Sequence, residues 1–158
     1  MPAVLTRPID VPFETAKAIK AHEVYLAGRP NGRRLLLKGA NLNGKTVDAL
    51  DLRRSIMTGA SFIKAHARTT DFGEADLFGC DFSQADLQST NFERADLRGA
   101  NFAMADLSGA ILRGADMRPG HVVNWKEEEQ RSTNFTEANL DGADFTGSNM
   151  SEANLAVS

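Results

Sequence analysis

Several residue types that mark secreted, membrane-bound or disulfide-stabilised proteins are scarce in this chain. A single cysteine in 158 residues cannot form an internal disulfide, which favours a cytoplasmic location. The apolar runs are only a few residues long, so no segment is expected to cross a membrane. The first residues lack the basic and apolar regions of a secretory signal. The net charge of −3 is too small to identify a partner.

The side chains that carry catalysis or bind metals are also few and dispersed. His22, His66 and His121 have no partner at the spacing of a metal site or a catalytic triad. No glycine-rich phosphate loop is present, and Cys80 is expected to be an inert thiol in the core. We therefore predict a protein that is not an enzyme and that has no cofactor or metal site.

What the sequence does contain is a large apolar residue at every fifth position. From Leu37 onwards, Leu, Phe, Met or Val occupies 22 of 23 such central positions, with a shift in the series between Val122 and Phe135. A small residue usually lies two places earlier, as Ala85 does before Leu87. A period of five fits neither an α-helix nor a straight β-strand. Residues two apart, however, point to one side of an extended chain.

Because five is an odd spacing, successive pairs face one core only if the chain turns between them. Nine of the 13 glycines lie three residues before a central position, where such a turn needs backbone freedom. From position 62 to position 107, Phe and Leu alternate at the central positions, with Ala67 as the exception. In a stack of coils, Phe lies on Phe and Leu lies on Leu only if each coil has an even number of sides. Two sides cannot enclose a core, so we predict four sides and 20 residues per coil.

The motif A-[DN]-[LF]-x-x recurs as "EADLF", "QADLQ", "RADLR", "GANFA" and "EANLD". It resembles the pentapeptide repeat family over about residues 34–155. The resemblance implies an all-β solenoid, specifically a right-handed quadrilateral β-helix, here of about five to six coils. We assign it to residues 34–158 and expect residues 1–33 to form an N-terminal arm and a helix. The helix is predicted over residues 13–27, where it would cap the first coil.

The repeat is interrupted between Val122 and Phe135, where the spacing exceeds two repeats by three residues. We predict an insertion at about residues 124–131. It could be a partner-binding loop on a rigid rod, or a tolerated insertion whose tryptophan folds onto the wall. Its candidate contact residues are Trp125, Glu127, Glu128 and Glu129.

Apolar residues replace the usual outward Asp or Asn on one predicted wall. Leu36 and Ile56 are 20 residues apart, and Phe78 follows one coil later. They predict an exposed apolar strip that something must cover. We favour the chain's own N-terminal segment as the cover of Leu36 and Ile56. Ile56 and Phe78 nevertheless stay candidate partner contacts, with a protein partner or another copy of the chain as the alternative cover.

Charge is distributed unevenly, with a net +6 over residues 33–68 and −5 over each of residues 69–118 and 119–158. The leading functional hypothesis is a non-enzymatic protein–protein interaction module with an unknown protein partner. The alternative, implied by the family resemblance, is a DNA mimic that modulates DNA gyrase. We expect a cytoplasmic bacterial protein without direct contact to nucleic acid or membrane. No capping helix follows the last coil, so a homodimer through this uncapped C-terminal coil is also expected.

Overall fold

The repeat winds the chain into a four-sided solenoid. The computed structural model describes residues 7–123 and 127–156. Parallel β-bridges join outward positions one coil apart, for example Asp76 to Asp96. The amide of Leu77 donates to the carbonyl of Asp96 at 3.0 Å, and the amide of Asp96 donates back to the carbonyl of Ala75 at 3.0 Å. Each coil therefore lies directly on the previous one, with the period of 20 residues that the sequence predicts.

Columns of Phe and Leu fill the bore of the solenoid. Successive Phe rings on one wall are nearly parallel, with centroids 4.8 Å apart between Phe62 and Phe82 and 5.2 Å between Phe82 and Phe102. Rings on the opposite Phe wall meet them edge-on, as Phe72 meets Phe82 at 6.0 Å. These side chains are fully buried, and each contributes roughly 1.5–3 kcal/mol by burial. The predicted alternation of Phe and Leu walls is confirmed.

Each corner is a tight turn whose third residue has a positive φ. The amide of Ala40 donates to the carbonyl of Leu37 at 3.1 Å, and Gly39 between them has a φ of 64°. All nine glycines that the sequence places at corners have positive φ values. Other corners carry side chains in the same conformation, such as Thr69 with a φ of 54°. The turn is therefore a property of the coil, and glycine makes it easier.

Helix α1 (Phe13–Leu26) falls within the predicted range of residues 13–27, and it contacts the first coil. His22 is fully buried and binds two backbone groups of that coil. Its Nδ1 accepts from the amide of Leu35 at 3.0 Å, and its Nε2 lies 2.8 Å from the carbonyl of Arg53. Before the helix, Asp10 pairs antiparallel with Thr46, through N–H···O bonds of 2.9 and 3.1 Å. The N-terminal arm thus adds one antiparallel β-bridge to an edge of the first coil.

The interruption of the repeat is a β-hairpin formed by β1 (Gly120–Val123) and β2 (Glu128–Arg131). The interpretation of Val122 as a central residue is wrong, because it lies in β1 outside the bore. The core series passes from Met117 directly to Phe135, so the segment outside the coils is longer than residues 124–131. The coil itself continues without a gap, since Phe102 and Phe135 stack at 5.0 Å.

Among the described residues, the last coil stacks against another coil on one side only. Its central residues Leu140, Phe145 and Met150 are only half-buried, and Leu155 is 47% exposed. In the described ranges, no helix combines the length and the apolarity needed to span a bilayer.

Candidate interaction surface around the hairpin

Phe78 lies beneath the β1–β2 hairpin. A Cβ atom at Gly120 would come within 2.7 Å of Cε2 of Phe78, so the backbone of β1 rests directly on the ring. The guanidinium carbon of Arg98 lies 5.2 Å from the ring centroid on the same wall, a distance at which a cation interacts with the aromatic face. The hairpin of the same chain therefore covers much of Phe78, which is half-buried.

The rest of the predicted apolar strip is covered less than expected. Leu36 is 63% exposed, so the expectation that the N-terminal segment covers it is wrong. Ile56 is half-buried in the ladder between Leu36 and Asp76. The structure therefore separates Leu36, at the helix end of this wall, from Phe78 under the hairpin.

A groove of about 380 Å³ opens between the hairpin and the wall. One side is the ring of Phe78, and the other is β1 with Val122 and Val123. Val123 is 73% exposed, which makes it one of the most exposed apolar side chains of the described residues. An apolar side chain of a partner would find aromatic and aliphatic surface here without entering the bore.

The polar side of the hairpin is acidic. Glu127, Glu128 and Glu129 are all exposed. Glu128 lies 3.8 Å from Nδ1 of His121 on β1, and Glu129 lies 3.5 Å from a guanidinium nitrogen of Arg131. Trp125 lies outside the described residues.

Arginine side chains that the sequence analysis missed organise the charges of this wall. Arg98 binds Asp96 at 2.7 Å and lies 3.8 Å from Asp116 one coil below. Arg118 binds Asp116 in the same way at 2.7 Å, and the hydrogen bond from this arginine lowers the pKa of Asp116. The motif Asp-Leu-Arg or Asp-Met-Arg is the sequence signal, because it places both charges beside each other on the outer face.

The outward Asp and Asn residues are largely engaged with the backbone. Oδ1 of Asp71 accepts from the amide of Gly73 at 2.8 Å and from the side-chain amide of Asn91 at 3.0 Å. The same arrangement recurs at many corners. Such side chains stabilise turns, so the acidic columns are a structural element as well as a surface charge.

Neither a metal-binding cluster nor a reactive thiol is found among the described residues. No group of three His, Cys, Asp or Glu side chains in these ranges is close enough to hold a metal ion. Cys80 is fully buried, and its Sγ donates to the carbonyl of Met57 at 3.0 Å. Burial raises the pKa of this thiol to about 12, so the nucleophilic thiolate is not populated near neutral pH.

Comparison with known families agrees with this architecture. A model of the pentapeptide repeat family matches residues 75–114 and 131–156, with eight copies of the repeat. The chain belongs to the pentapeptide repeat family, whose members fold as right-handed quadrilateral β-helices. No curated protein matches the sequence.

Solved structures of similar proteins include members from plants and bacteria. A variant of QnrB1, a plasmid-mediated fluoroquinolone resistance protein, is 18% identical, with a TM-score of 0.55 over 79% of this chain and 74% of that chain. A pentapeptide repeat protein from the thylakoid lumen of Arabidopsis thaliana is 29% identical (TM-score 0.41). The match covers 77% of this chain and 65% of that one, just under two thirds. A pentapeptide repeat protein from Nostoc is 30% identical (TM-score 0.35) over 78% of this chain and 71% of that chain. The likeness to QnrB1 shows a shared fold.

Proposed function

We propose that this chain is a non-enzymatic protein–protein interaction module built on a rigid β-helical rod. The observation that supports it best is the filled bore: Phe and Leu columns occupy the interior, so that only the outer surface is available for binding. A ligand site normally needs a concave pocket with convergent polar groups. In this role, α1 acts as the cap of a rod of about five to six coils.

The β1–β2 hairpin is the proposed contact surface, because it lies on the outer wall and its described residues include exposed apolar and acidic side chains. A loop on a rigid scaffold is a common location of binding residues. Here it combines an exposed apolar residue, Val123, with an acidic edge. The partner is therefore expected to carry an apolar side chain beside basic residues. The candidate contacts remain Ile56, Phe78, Trp125, Glu127, Glu128 and Glu129.

Affinity capture from native lysate, read by quantitative mass spectrometry, tests this proposal. We expect Trp125→Ala and Glu128→Lys to lose proteins that the wild type retains. Glu74→Lys is the matched control, since Glu74 is an exposed acid on a different wall. A set of captured proteins that is the same for all four chains would reject the hairpin as the contact surface.

The alternative function is a DNA mimic that modulates DNA gyrase. The observation in its favour is the column Asp76, Asp96 and Asp116, which stacks carboxylates at the spacing of the coils. Arg98 and Arg118 offset part of this charge. A supercoiling assay with purified gyrase distinguishes the two functions. Unchanged supercoiling at micromolar concentrations of the protein would exclude the mimic.

We also propose a homodimer through the C-terminal coil. Its half-buried residues Leu140, Phe145 and Met150 form an apolar end that a second copy could cover. Light scattering should then give twice the monomer mass, and Met150→Glu should return it to the monomer. A wild-type chain that stays monomeric over the whole concentration range would contradict this proposal. The proposed setting of the module remains the cytoplasm, without direct contact to nucleic acid or membrane.

A further inference from the structure

The N-terminal arm illustrates how an extended segment can bind the first coil. It occupies one edge of that coil. In a parallel ladder, each outward residue that forms a β-bridge turns its N–H and C=O towards the coil above. From residue 7 onwards, no coil lies above the first one. At Thr46 both groups bind Asp10 of the arm, at 3.1 and 2.9 Å. Lys45 lies 3.9 Å from the carboxylate of the same aspartate.

Leu36 is the equivalent residue on the opposite wall, and no described residue pairs with its edge. The amide of Leu37 and the carbonyl of Leu35 bind Ile56 in the coil below, at 2.8 and 2.9 Å. Within residues 7–123 and 127–156, the N–H and C=O of Leu36 itself have no hydrogen-bond partner. An unpaired strand edge is a template for an added β-strand.

A groove beside α1 leaves room for such a strand. The two long sides of the helix differ: Ile9 and Val11 of the arm lie beside Ala16 and Ile19 on one side. The other side faces Leu36 across a groove of about 370 Å³. This edge groove is lined by Glu14, Lys17, Ala18, Ala21, Arg33, Arg34 and Leu36.

The lining of the edge groove defines the chemistry of its occupant. Small apolar side chains and the exposed Leu36 form the apolar part, while three cations and one acid form the polar part. A strand has two faces of alternating side chains, so an apolar face can contact the helix while an acidic face meets the cations. The arm is the precedent, since Asp10 approaches Lys45 while Ile9 and Val11 line the opposite side of α1.

We propose that the Leu36 edge and the adjoining edge groove bind an extended acidic segment of a partner protein as an added β-strand. This surface lies at the helix end of the rod and uses none of the hairpin contacts. It extends the proposed role in partner binding, but it does not depend on the hairpin. Failure of one test therefore leaves the other proposal intact.

The test begins with selection of short random peptides on the immobilised full chain, followed by fluorescence anisotropy of the most enriched peptide. We expect enriched sequences with Asp or Glu at alternate positions and apolar residues between them. Leu36→Pro removes the edge donor without removing a hydrogen bond of the free chain. It should weaken binding about tenfold, as expected for one lost hydrogen bond and a disturbed edge.

Matched variants separate strand addition from general charge attraction. Asn41→Pro changes the equivalent residue on the neighbouring edge of the same coil and should leave peptide affinity unchanged. Lys17→Glu should weaken binding, whereas Lys64→Glu, on an exposed corner outside the groove, should not. Circular dichroism and thermal unfolding establish that each variant is folded before its affinity is interpreted.

Amide hydrogen exchange at Leu36 provides the direct readout. Exchange of this amide should be fast in the free chain and slow with saturating peptide. The proposal is overturned if no acidic alternating peptide is enriched, if Leu36→Pro binds like wild type, or if exchange at Leu36 does not change. Slowing that depends on protein concentration without any peptide would assign the edge to a second copy of the chain, and would also overturn it.

Discussion

The residue two places after each central residue determines the shape of every corner. It adopts a positive φ whether or not it is glycine, as the pair Gly59 (68°) and Thr69 (54°) shows. A side chain in this conformation costs about 1–2 kcal/mol relative to glycine, and a β-branched side chain is especially unfavourable there. The corners that carry side chains are therefore sites where stability can be gained.

Replacing Thr69 by glycine should stabilise the protein. The relief of backbone strain exceeds the added freedom of glycine in the unfolded chain, which costs about 0.4–1 kcal/mol. We therefore expect the free energy of unfolding to rise by roughly 0.5–1 kcal/mol. Urea denaturation measures it directly. The reverse change, Gly59→Thr, should destabilise by backbone conformation alone, since no atom lies within 4 Å of the added Cβ. Equal stability of both variants would refute this account of the corners.

Burial makes His22 a pH-sensitive contact between α1 and the first coil. Desolvation by burial lowers the pKa of His22. The neutral ring accepts a hydrogen bond from the amide of Leu35 and lies against the carbonyl of Arg53. The unfolded chain then binds a proton more readily than the folded one. Stability is fully present above pH of about 6.5 and declines as the pH falls below it, by at most about 1.4 kcal/mol per unit.

Unfolding free energies at about pH 7.5 and 5.5 should therefore differ for the wild type. The difference should be smaller in His22→Gln, which cannot be protonated, although this variant is less stable overall. His121→Gln is the control, because His121 is exposed on the hairpin. A pH dependence that survives His22→Gln unchanged would show that another group is responsible.

At the residue scale, the sequence predicts what repeats and misses what does not. The alternation of Phe and Leu can be read from the sequence, because stacked residues are separated by a constant 20 positions. The role of Gly120 is not visible, since it depends on a ring 42 residues earlier in the chain, that of Phe78. The role of Arg98 is not visible either, because its contact with that ring arises only when the coils stack.

At the scale of elements, the turn between α1 and the first coil is set by a close backbone approach. An added Cβ at Gly32 would lie 2.3 Å from the amide nitrogen of Tyr25 and 2.5 Å from its Cα. These are backbone atoms of the helix, so a side-chain rotation cannot relieve the clash. The chain can approach the end of α1 this closely only with glycine at position 32.

Gly32→Ala should therefore displace α1 from the first coil. We expect a loss of about 3 kcal/mol, at the upper end of the range for overpacking. Gly28→Ala is a suitable comparison, since Gly28 has a positive φ but open space around its Cβ position. Thermal unfolding compares the two variants, and faster amide exchange of the helix in Gly32→Ala alone would identify the displaced element. Equal losses in both would contradict the steric explanation.

At the element scale, the hairpin shows why the prediction of Val122 as a central residue was wrong. Val122 lies five residues after Met117, so it continues the apolar series in sequence. In the structure it lies over Gly79 and Gly99 on the outer wall, where a Cβ added to either glycine would lie 3.5 Å from Cγ2 of Val122. An apolar residue is required in either location, and the sequence alone does not distinguish the inside of the bore from the underside of a hairpin. α1 was predictable, because its apolar spacing ends at a Gly- and Pro-containing turn.

At the scale of the whole molecule, stability should decrease towards the C-terminal end. In a solenoid each coil is stabilised by its neighbours, and in the part of the chain that the structure describes the last coil has a neighbour on one side only. Amides of the central coils, such as that of Phe82, should exchange at the rate of global unfolding. Amides near Phe145 should exchange faster, through local opening. Hydrogen exchange read by mass spectrometry resolves the two regions, and uniform protection in a monomer would contradict the prediction.

The stacking of Phe102 on Phe135 across the hairpin has a practical consequence. Thirteen more residues than usual separate these rings, yet their planes are 3° from parallel. The stacking of the coils is therefore preserved across this insertion of 13 residues. Foreign peptides of varied length could be displayed in place of the hairpin, and the rod would serve as a carrier for recognition sequences chosen by design.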